Sequence, residues 1–337
     1  MSRRSSTGSL CLLLSSAALG IPGCAVGPDF EPPKPPVVAQ YDTPESYAAD
    51  AGKTLAQLSG ATGGEVPDQW WTLFRSAALD TTVLEAIRHS PNLASASATL
   101  DAARESVNVA QAGYYPHLSA SAGDQRTSGG VVGTQTGFTL GLNAGFSFNA
   151  LGGATRRLVE EEAALAEYSR YQLAAAYLTL AGGIATESLT IASTRLQIET
   201  TEELLRDDQK NLDLTNRMYE AGAAARTDVL TAESQLAADE TSLPSLRQQL
   251  SVARHALAIL VGYSPGEWPV PEFELGEFKL PAELPSSLPS ALVQRRPDIL
   301  SAQAELHSDS AAIGVAVAQE FPSLSLNPSL TRDALTA

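Results

Sequence analysis

The chain has 337 residues, with 22 Lys and Arg against 38 Asp and Glu and a formal net charge of −16. Such acidity argues against a nucleic-acid binder, which carries a basic face, and two cysteines, Cys11 and Cys24, cannot build a disulfide scaffold or a four-thiolate zinc site. Only 6% of residues are aromatic, and the abundance of Ala, Ser and Thr favours long helices packed through small residues over one large globular core.

The N-terminus reads as an address. Arg3 and Arg4 precede an apolar stretch from Leu10 to Leu19, and Ile21-Pro22-Gly23-Cys24 follows. A short apolar region ending in small residues is a secretory signal over residues 1–23. The I-P-G-C ending resembles a bacterial lipobox, which makes Cys24 the acylated first residue of the mature chain. The alternative is an ordinary signal peptide with an incidental cysteine. Ala25, rather than Asp, follows Cys24; by resemblance to sorted bacterial lipoproteins this favours the outer membrane. The Pro-rich G-P-D-F-E-P-P-K-P-P that comes next is expected to be an extended, solvated tether. No later apolar run reaches ~18 residues, so no transmembrane helix is predicted, although β-barrel strands escape that test.

An internal repeat sets the architecture. Pro91 and Pro297 are 206 residues apart, as are Pro116 and Pro322. Between these anchors the copies align without a gap, with identical pairs at Leu100/Leu306, Val109/Val315, Ala112/Ala318 and Leu118/Leu324 among others. Each copy reads as an Ala-rich helix, an aromatic-Pro corner and a strand. After the first copy, Phe138, Leu140, Leu142, Ala144, Phe146 and Phe148 alternate with Thr139, Gly141, Asn143, Gly145 and Ser147. This period of two matches a membrane β-barrel wall, with the Phe-rich row facing lipid. The competing reading is half of a soluble sandwich. A weaker alternation from about Pro116 to Arg126 predicts the partner strand, with Gly129, Gly130 and Gly133 in the loop between them.

From about Ala154 to Val261 the pattern is helical. Ile191, Ile198, Leu205, Leu212 and Tyr219 recur every seven residues, and so do Val229, Leu236, Leu243, Leu250 and Leu257. Every cross-pair has its midpoint at residue 224, the arithmetic of an antiparallel coiled-coil hairpin. Gly222 supplies the turn, and Thr227 or Asp228 caps the second arm. Pro244 predicts a break in the second arm, and Gly182-Gly183 a soft point in the first. The clusters Glu160-Glu161-Glu162 and Asp207-Asp208 read as solvated helix faces. The four histidines form no metal-ligand spacing, and no nucleophile elbow or phosphate loop is present; the expectation is no enzyme, no metal and no cofactor.

Taken together, G-C-A-V-G-P-D-F-E-P-P, W-W-T-L-F at Trp70–Phe74, P-N-L with Y-Y-P, A-G-A-A-A-R-T-D-V-L, L-A-I-L-V-G and R-R-P-D-I-L resemble the outer membrane factor family. These are TolC-like outer-membrane efflux lipoproteins, here of the NodT branch. The resemblance implies a mainly α fold with membrane β-strands, a TolC-like α-barrel/β-barrel with long antiparallel coiled-coil helices and two internal repeats, the second incomplete. It implies a homotrimer that shares one barrel in outer-membrane lipid and extends a helical tunnel into the periplasm. The partners it implies are a periplasmic adaptor (membrane fusion) protein and an inner-membrane pump, with no nucleic acid. The function it implies is a passive export conduit of a tripartite (RND-type) efflux or type I secretion system. The residues it singles out are Cys24 for lipidation, Gly222, Arg226, Thr227 and Asp228 at an adaptor-contact tip, and Phe138, Leu140, Leu142, Phe146 and Phe148 on the lipid-facing strand.

On this reading the signal peptide over 1–23 is followed by an acylated N-terminus, tether and equatorial segment over 24–75 and a first-repeat helix over 76–113. A membrane hairpin covers 114–150. A long helical hairpin covers 151–262, with its tip near 222–228. An equatorial linker covers 263–290, a second-repeat helix 291–320, and the start of a second hairpin 321–337. Trp70, Trp71 and Phe74 are expected to pack rather than bind. Two departures from the family stand out. Asn149 and Gly153 replace an Asp and an Arg at the strand-to-helix junction. The chain also ends just inside its second hairpin, with Arg332 and Asp333 where a lipid-facing strand should run. The expectation is therefore a C-terminally truncated copy with two full strands and a fragment of a third, lacking the family's acidic gate and failing to close a normal channel. The competing reading is a periplasmic coiled-coil adaptor or scaffold lipoprotein.

Overall fold

The computed structural model describes residues 25–34, 68–128, 134–148, 153–280 and 294–336. The signal sequence, Cys24, the glycine loop at 129–133, Asn149 and the linker prolines at 281, 285 and 289 lie outside these residues. Helix α1 spans Ala77–His89 and α2 spans Pro91–Ala112. Strands β1 (His117–Ser128) and β2 (Thr134–Phe148) follow. Then come α3 (Ala154–Glu220), α4 (Arg226–Glu240), α5 (Ser242–Val261) and α6 (Pro297–Ala318), and finally β3 (Leu324–Leu326) and β4 (Ser329–Thr336). The two repeat helices, α2 and α6, are each 22 residues long and start and stop at equivalent positions.

The chain forms two compact units: residues 1–34, 99–171 and 298–337 make one, and 35–98 and 172–297 the other. The second unit has a continuous apolar core. Ser76 opens α1 by accepting the Leu79 N–H at 3.3 Å, an N-cap that satisfies an otherwise orphaned donor. Leu79, Val83 and Ala86 of α1 then pack with Ile184, Ile191 and Ala192 of α3 and with Leu257, Ala258 and Val261 of α5. Trp268 and Phe273 complete the cluster. Trp71 is buried and its indole N–H donates to Asp80 at 3.1 Å, while Trp70 stands edge-on to both Trp71 and Phe74. These aromatics are packing residues, as their sequence context predicts.

Helix α3 is a single helix of 67 residues, about 100 Å at 1.5 Å per residue. It passes through Gly182 and Gly183 without a break. Gly183 faces Leu260 of α5, and a Cβ there would make ordinary van der Waals contact with it at 3.4 Å. The second arm breaks as predicted. α4 ends at Glu240 and α5 begins at Ser242, with Pro244 in its first turn. A proline has no N–H to donate and is tolerated there but not in a helix interior.

All ten heptad residues except Tyr219 are buried or half-buried. A second seam runs three residues further along the first arm. Thr194, Thr201, Asp208 and Thr215 stand at buried or half-buried positions that mirror Ala253, Leu246, Asp239 and Ala232. Two layers per heptad are what a coiled coil requires. Arg247 closes the arms from outside, with Nη2 3.0 Å from Glu202 Oε1.

Candidate channel wall, helical tip and N-terminal strap

The sheet is antiparallel, with β2 central. β1 pairs it on one side, from His117 opposite Gly145 to Ser128 opposite Thr134. β3 and β4 pair it on the other, from Leu324 opposite Phe148 to Thr336 opposite Thr136. The register is continuous across β3 and β4, and the Ala144 N–H donates to Pro328 O at 3.0 Å between them. They are one edge strand interrupted at Asn327-Pro328, where the proline's missing N–H removes one ladder bond; edge strands tolerate this. The expectation of a mere fragment of a third strand is thereby corrected. Residues 324–336 follow β2 over nearly its whole length, because a shared register lets even the polar end of this strand use β2's backbone groups.

The register also sorts the faces. Phe138, Leu140, Leu142, Ala144, Phe146 and Phe148 line up with Leu118, Ala120 and Ala122 of β1 and with Leu324, Leu326 and Leu330 of the third strand. Phe138, Leu140, Leu142 and Phe148 are exposed, and so are Leu118, Leu324, Leu326 and Leu330. The opposite face carries Ser119, Ser121, Thr139, Asn143 and Ser147, with Ser147 Oγ 3.3 Å from Ser325 Oγ. Asp333 falls on this polar face, opposite Thr139, while Arg332 stands on the apolar row opposite Leu140 and Asp124 of β1 stands on it opposite Phe138. Among the described residues the strands pack on one another, and no second sheet covers the apolar row. A soluble sandwich would need such a covering layer.

The row from Phe138 to Phe148 extends about 34 Å at ~3.4 Å per residue, or about 25 Å along a membrane normal at ~40–45° tilt. That equals the height of the apolar band of a membrane barrel. No helix among the described residues is long and apolar enough to cross a membrane.

The tip is built from the backbone outward. Gly222 takes φ +76, and the Ala223 N–H reaches back to Met218 O at 2.7 Å, closing the end of α3. Asp228, in the first turn of α4, accepts the Ala225 N–H at 2.9 Å. Ala225 is the N-cap residue and makes no side-chain cap bond; of the two candidates Asp228, at the third helical position, reaches back to the Ala225 N–H, the reciprocal half of a capping box. Arg226 lies over the Tyr219 ring, 5.9 Å from its centroid. The tip thus presents Arg226 over the Tyr219 ring on an otherwise Ala-rich turn. Asp228→Ala is expected to cost about 1 kcal/mol, read as a lower thermal midpoint with early loss of helix signal.

Two acidic clusters differ from their sequence reading as solvated faces. Asp207 is solvated and pairs with Lys210 at 2.8 Å, but Asp208 faces Asp239 across the second seam. Burial, and then the facing Asp239 carboxylate, push the Asp208 carboxyl above its ordinary value. A carboxyl whose pKa is raised by folding adds stability below its unfolded value and loses it as pH rises through the folded one. Asp208→Asn is accordingly expected to raise the thermal midpoint at neutral pH and to flatten the gain seen on acidification toward pH 4; an unchanged pH profile would remove Asp208 as its source. Glu160 is the second exception. Burial pushes it up, but hydrogen bonds and charge from Arg157 and His307 outweigh this and hold it below its usual range.

Sequence reasoning missed the surroundings of Glu160 altogether. Arg157, in the first turn of α3, has a side chain only 4% exposed. Its Nε donates to Val26 O at 2.9 Å, Nη2 to Gly27 O at 3.3 Å and to Asp29 Oδ1 at 2.8 Å, and Nη1 to Glu160 Oε2 at 2.7 Å. The segment read as a solvated tether is therefore docked over its first residues. Nothing in the local pattern of residues 25–30 signals this, since its partners lie some 130 and 280 residues away. Among the described residues no group of three His, Cys, Asp or Glu is placed to hold a metal.

Residues 83–263, more than half of the chain, match the outer membrane efflux protein family. The chain belongs to that family. As a family member it is 32% identical over 280 residues to the pyoverdine export outer membrane protein OpmQ of Pseudomonas aeruginosa, covering 79% of this chain and 58% of that one. It is 28% identical to nodulation protein T of Rhizobium leguminosarum bv. trifolii, covering 93% of this chain and 65% of the relative. The chain thus spans less than two thirds of the length of these relatives. Among solved structures it resembles the outer-membrane channel OprN, with a TM-score of 0.77, 25% identity and coverage of 93% of this chain and 73% of that one. The TolC-like fold expected from the sequence is the fold observed.

Proposed function

We propose that this efflux-family chain is a subunit of a passive export channel in the outer membrane, non-enzymatic and anchored by acylation of Cys24. The sheet carries the reading. Among the described residues its Phe- and Leu-rich row is uncovered and neither outer edge, β1 nor the β3–β4 strand, carries a further strand. Unpaired backbone groups are not tolerated in hydrocarbon, so such a sheet enters lipid only when strands of further copies close it. The homotrimer implied by the family resemblance would supply those strands. The helices support the same reading. α6 buries the small residues Ser301, Ala304, Ser308, Ala311 and Gly314 and turns Leu306 and Ile313 outward, leaving large apolar groups for other chains to cover. Gly222, Arg226, Thr227 and Asp228 form the surface offered to a periplasmic adaptor, which links the channel to an inner-membrane RND-type or type I pump. An adaptor or scaffold lipoprotein is disfavoured, because its hairpin would be flanked by soluble β segments and not by an uncovered apolar sheet.

The test is membrane fractionation of the chain expressed with its leader, sizing in mild detergent, and conductance in planar bilayers. A trimer from the outer-membrane fraction with stable conductance is expected. A soluble or non-conducting monomer would overturn the reading.

A further inference from the structure

Arg157 begins a closed ring of contacts. It holds Val26, Gly27 and Asp29 on one side and Glu160 on the other. Glu160 Oε1 lies 3.2 Å from His307 Nε2 on α6. The His307 ring stacks on Phe30, with centroids 4.4 Å apart and planes 13° from parallel. Phe30 returns the ring to the N-terminal segment. Inside it, Gly27 lies directly on Gly314 of α6: a Cβ on Gly27 would stand 2.5 Å from Gly314 Cα, and one on Gly314 would stand 2.8 Å from Arg157 Cδ. Gly27 also holds φ +92, in the region that disfavours side chains. Gly314, the buried Arg157 fork and the His307 ring therefore meet a segment of six residues that has no regular structure of its own.

The contacts are unequal. Asp29 is 92% exposed, so its ion pair with Arg157 contributes little. The backbone carbonyls of Val26 and Gly27 matter more, because without them a nearly buried guanidinium would keep only Glu160 and the exposed Asp29 as partners, and an under-satisfied buried charge is costly. This arrangement selects backbone shape over side-chain chemistry, as expected of a positioning device.

We infer that residues 25–30 are a built-in strap, clasped by Arg157, Gly314 and His307, that fixes the acylated end of the chain at one end of the sheet. The inference rests on the reading of Cys24 as the lipidated residue. Cys24 immediately precedes the clasped segment. Arg157 follows the β2 end at Phe148, and Gly314 precedes the β3 start at Leu324; Phe148 and Leu324 are paired. The acyl group is thus delivered beside one rim of the apolar row, where a free tether would let it wander. Lipid insertion and sheet insertion become one mechanically coupled event.

The test uses the full chain expressed with its leader. Phe30→Cys is combined with His307→Cys and treated in intact membranes with a short bis-thiol crosslinker. The 30–307 bridge is read by mass spectrometry of the digest, with Lys34→Cys/His307→Cys as the control pair. Acylation of Cys24 is measured in parallel by labelled fatty acid. The expected result is efficient 30–307 bridging well above the control, lost severalfold when Arg157→Ala is added and not restored by Arg157→Lys, which lacks the fork. In the chain without added cysteines, Arg157→Ala is expected to keep Cys24 acylation and lose severalfold of the membrane-assembled fraction. Bridging no better than the control, or insensitive to Arg157→Ala, overturns the strap. Full bridging with an unacylated Cys24 leaves the strap standing and removes the lipoprotein reading instead.

Discussion

Leu142→Lys is expected to abolish membrane assembly while Asn143→Lys, its immediate neighbour, leaves assembly intact. Leu142 lies near the middle of the apolar row, opposite Ala120 on one side and Leu330 on the other. A lysine at the midplane of a membrane strand costs about 2–4 kcal/mol, and in a homotrimer the cost is incurred three times. Asn143 points to the other face, opposite Ser119 and Ser329, where a charge stays in water. The measurement is the fraction of chain recovered as detergent-resistant trimer from outer membranes. Equal behaviour of the two variants would mean that the row does not face lipid. Arg332 shows how the protein itself carries a charge on this row. It stands opposite Leu140, one pair along the row from Leu142, where a long side chain can extend along the strand toward the nearer interface.

The second large effect is expected at the end of α5. Gly262 closes this helix at φ +101, donating its N–H to Ala258 O and Ile259 O at 3.1 Å, while the Tyr263 N–H returns to Ala258 O at 3.0 Å. A Cβ at Gly262 would fall on the His89 carbonyl oxygen and stand 2.9 Å from the His89 carbonyl carbon. The colliding atoms are backbone at the α1–α2 corner, so no rotamer relieves the clash. Either that corner moves or the last turn of α5 unwinds, and that turn carries Leu257, Ala258 and Val261 into the core. Gly262→Ala is expected to cost more than the ~1–2 kcal/mol of a left-handed residue alone. Gly222→Ala is the matched control: φ there is +76, but a Cβ would meet nothing within 4 Å. Thermal unfolding followed by circular dichroism should separate them, with Gly262→Ala lowering the midpoint several times further. Equal shifts would show that backbone conformation, and not the collision with His89, sets the cost.

Both variants probe features that the sequence discloses in part. The alternation from Phe138 to Phe148 is visible along the chain, and so is a glycine at a helix end. Their consequences differ, because one depends on which residues share a strand and the other on what lies across a gap of more than 170 residues.

Much of the architecture is local and therefore legible. The hairpin could be read because a seven-residue repeat in both arms shares one midpoint, and burial of Ile191, Leu205, Leu236 and Leu257 follows that arithmetic. The repeat could be read because Pro91 and Pro297 set the same helix start twice, giving two helices of 22 residues. Periodicity and punctuation act within a few turns of chain, and the physics that enforces them is equally short-ranged.

What the tertiary structure alone decided concerns meetings between distant segments. The second seam placed Asp208 against Asp239, although charged pairs on a helix default to solvent. Gly183 came to face Leu260 where composition suggested a weak point. Residues 324–336 took a register on β2 that carried Arg332 to one face and Asp333 to the other. Arg157 gathered a strap of proline-rich chain that reads as free linker. In each case the residue type permits either outcome. The choice is made by which groups lose water together when remote elements pack, and that depends on distances no local pattern contains.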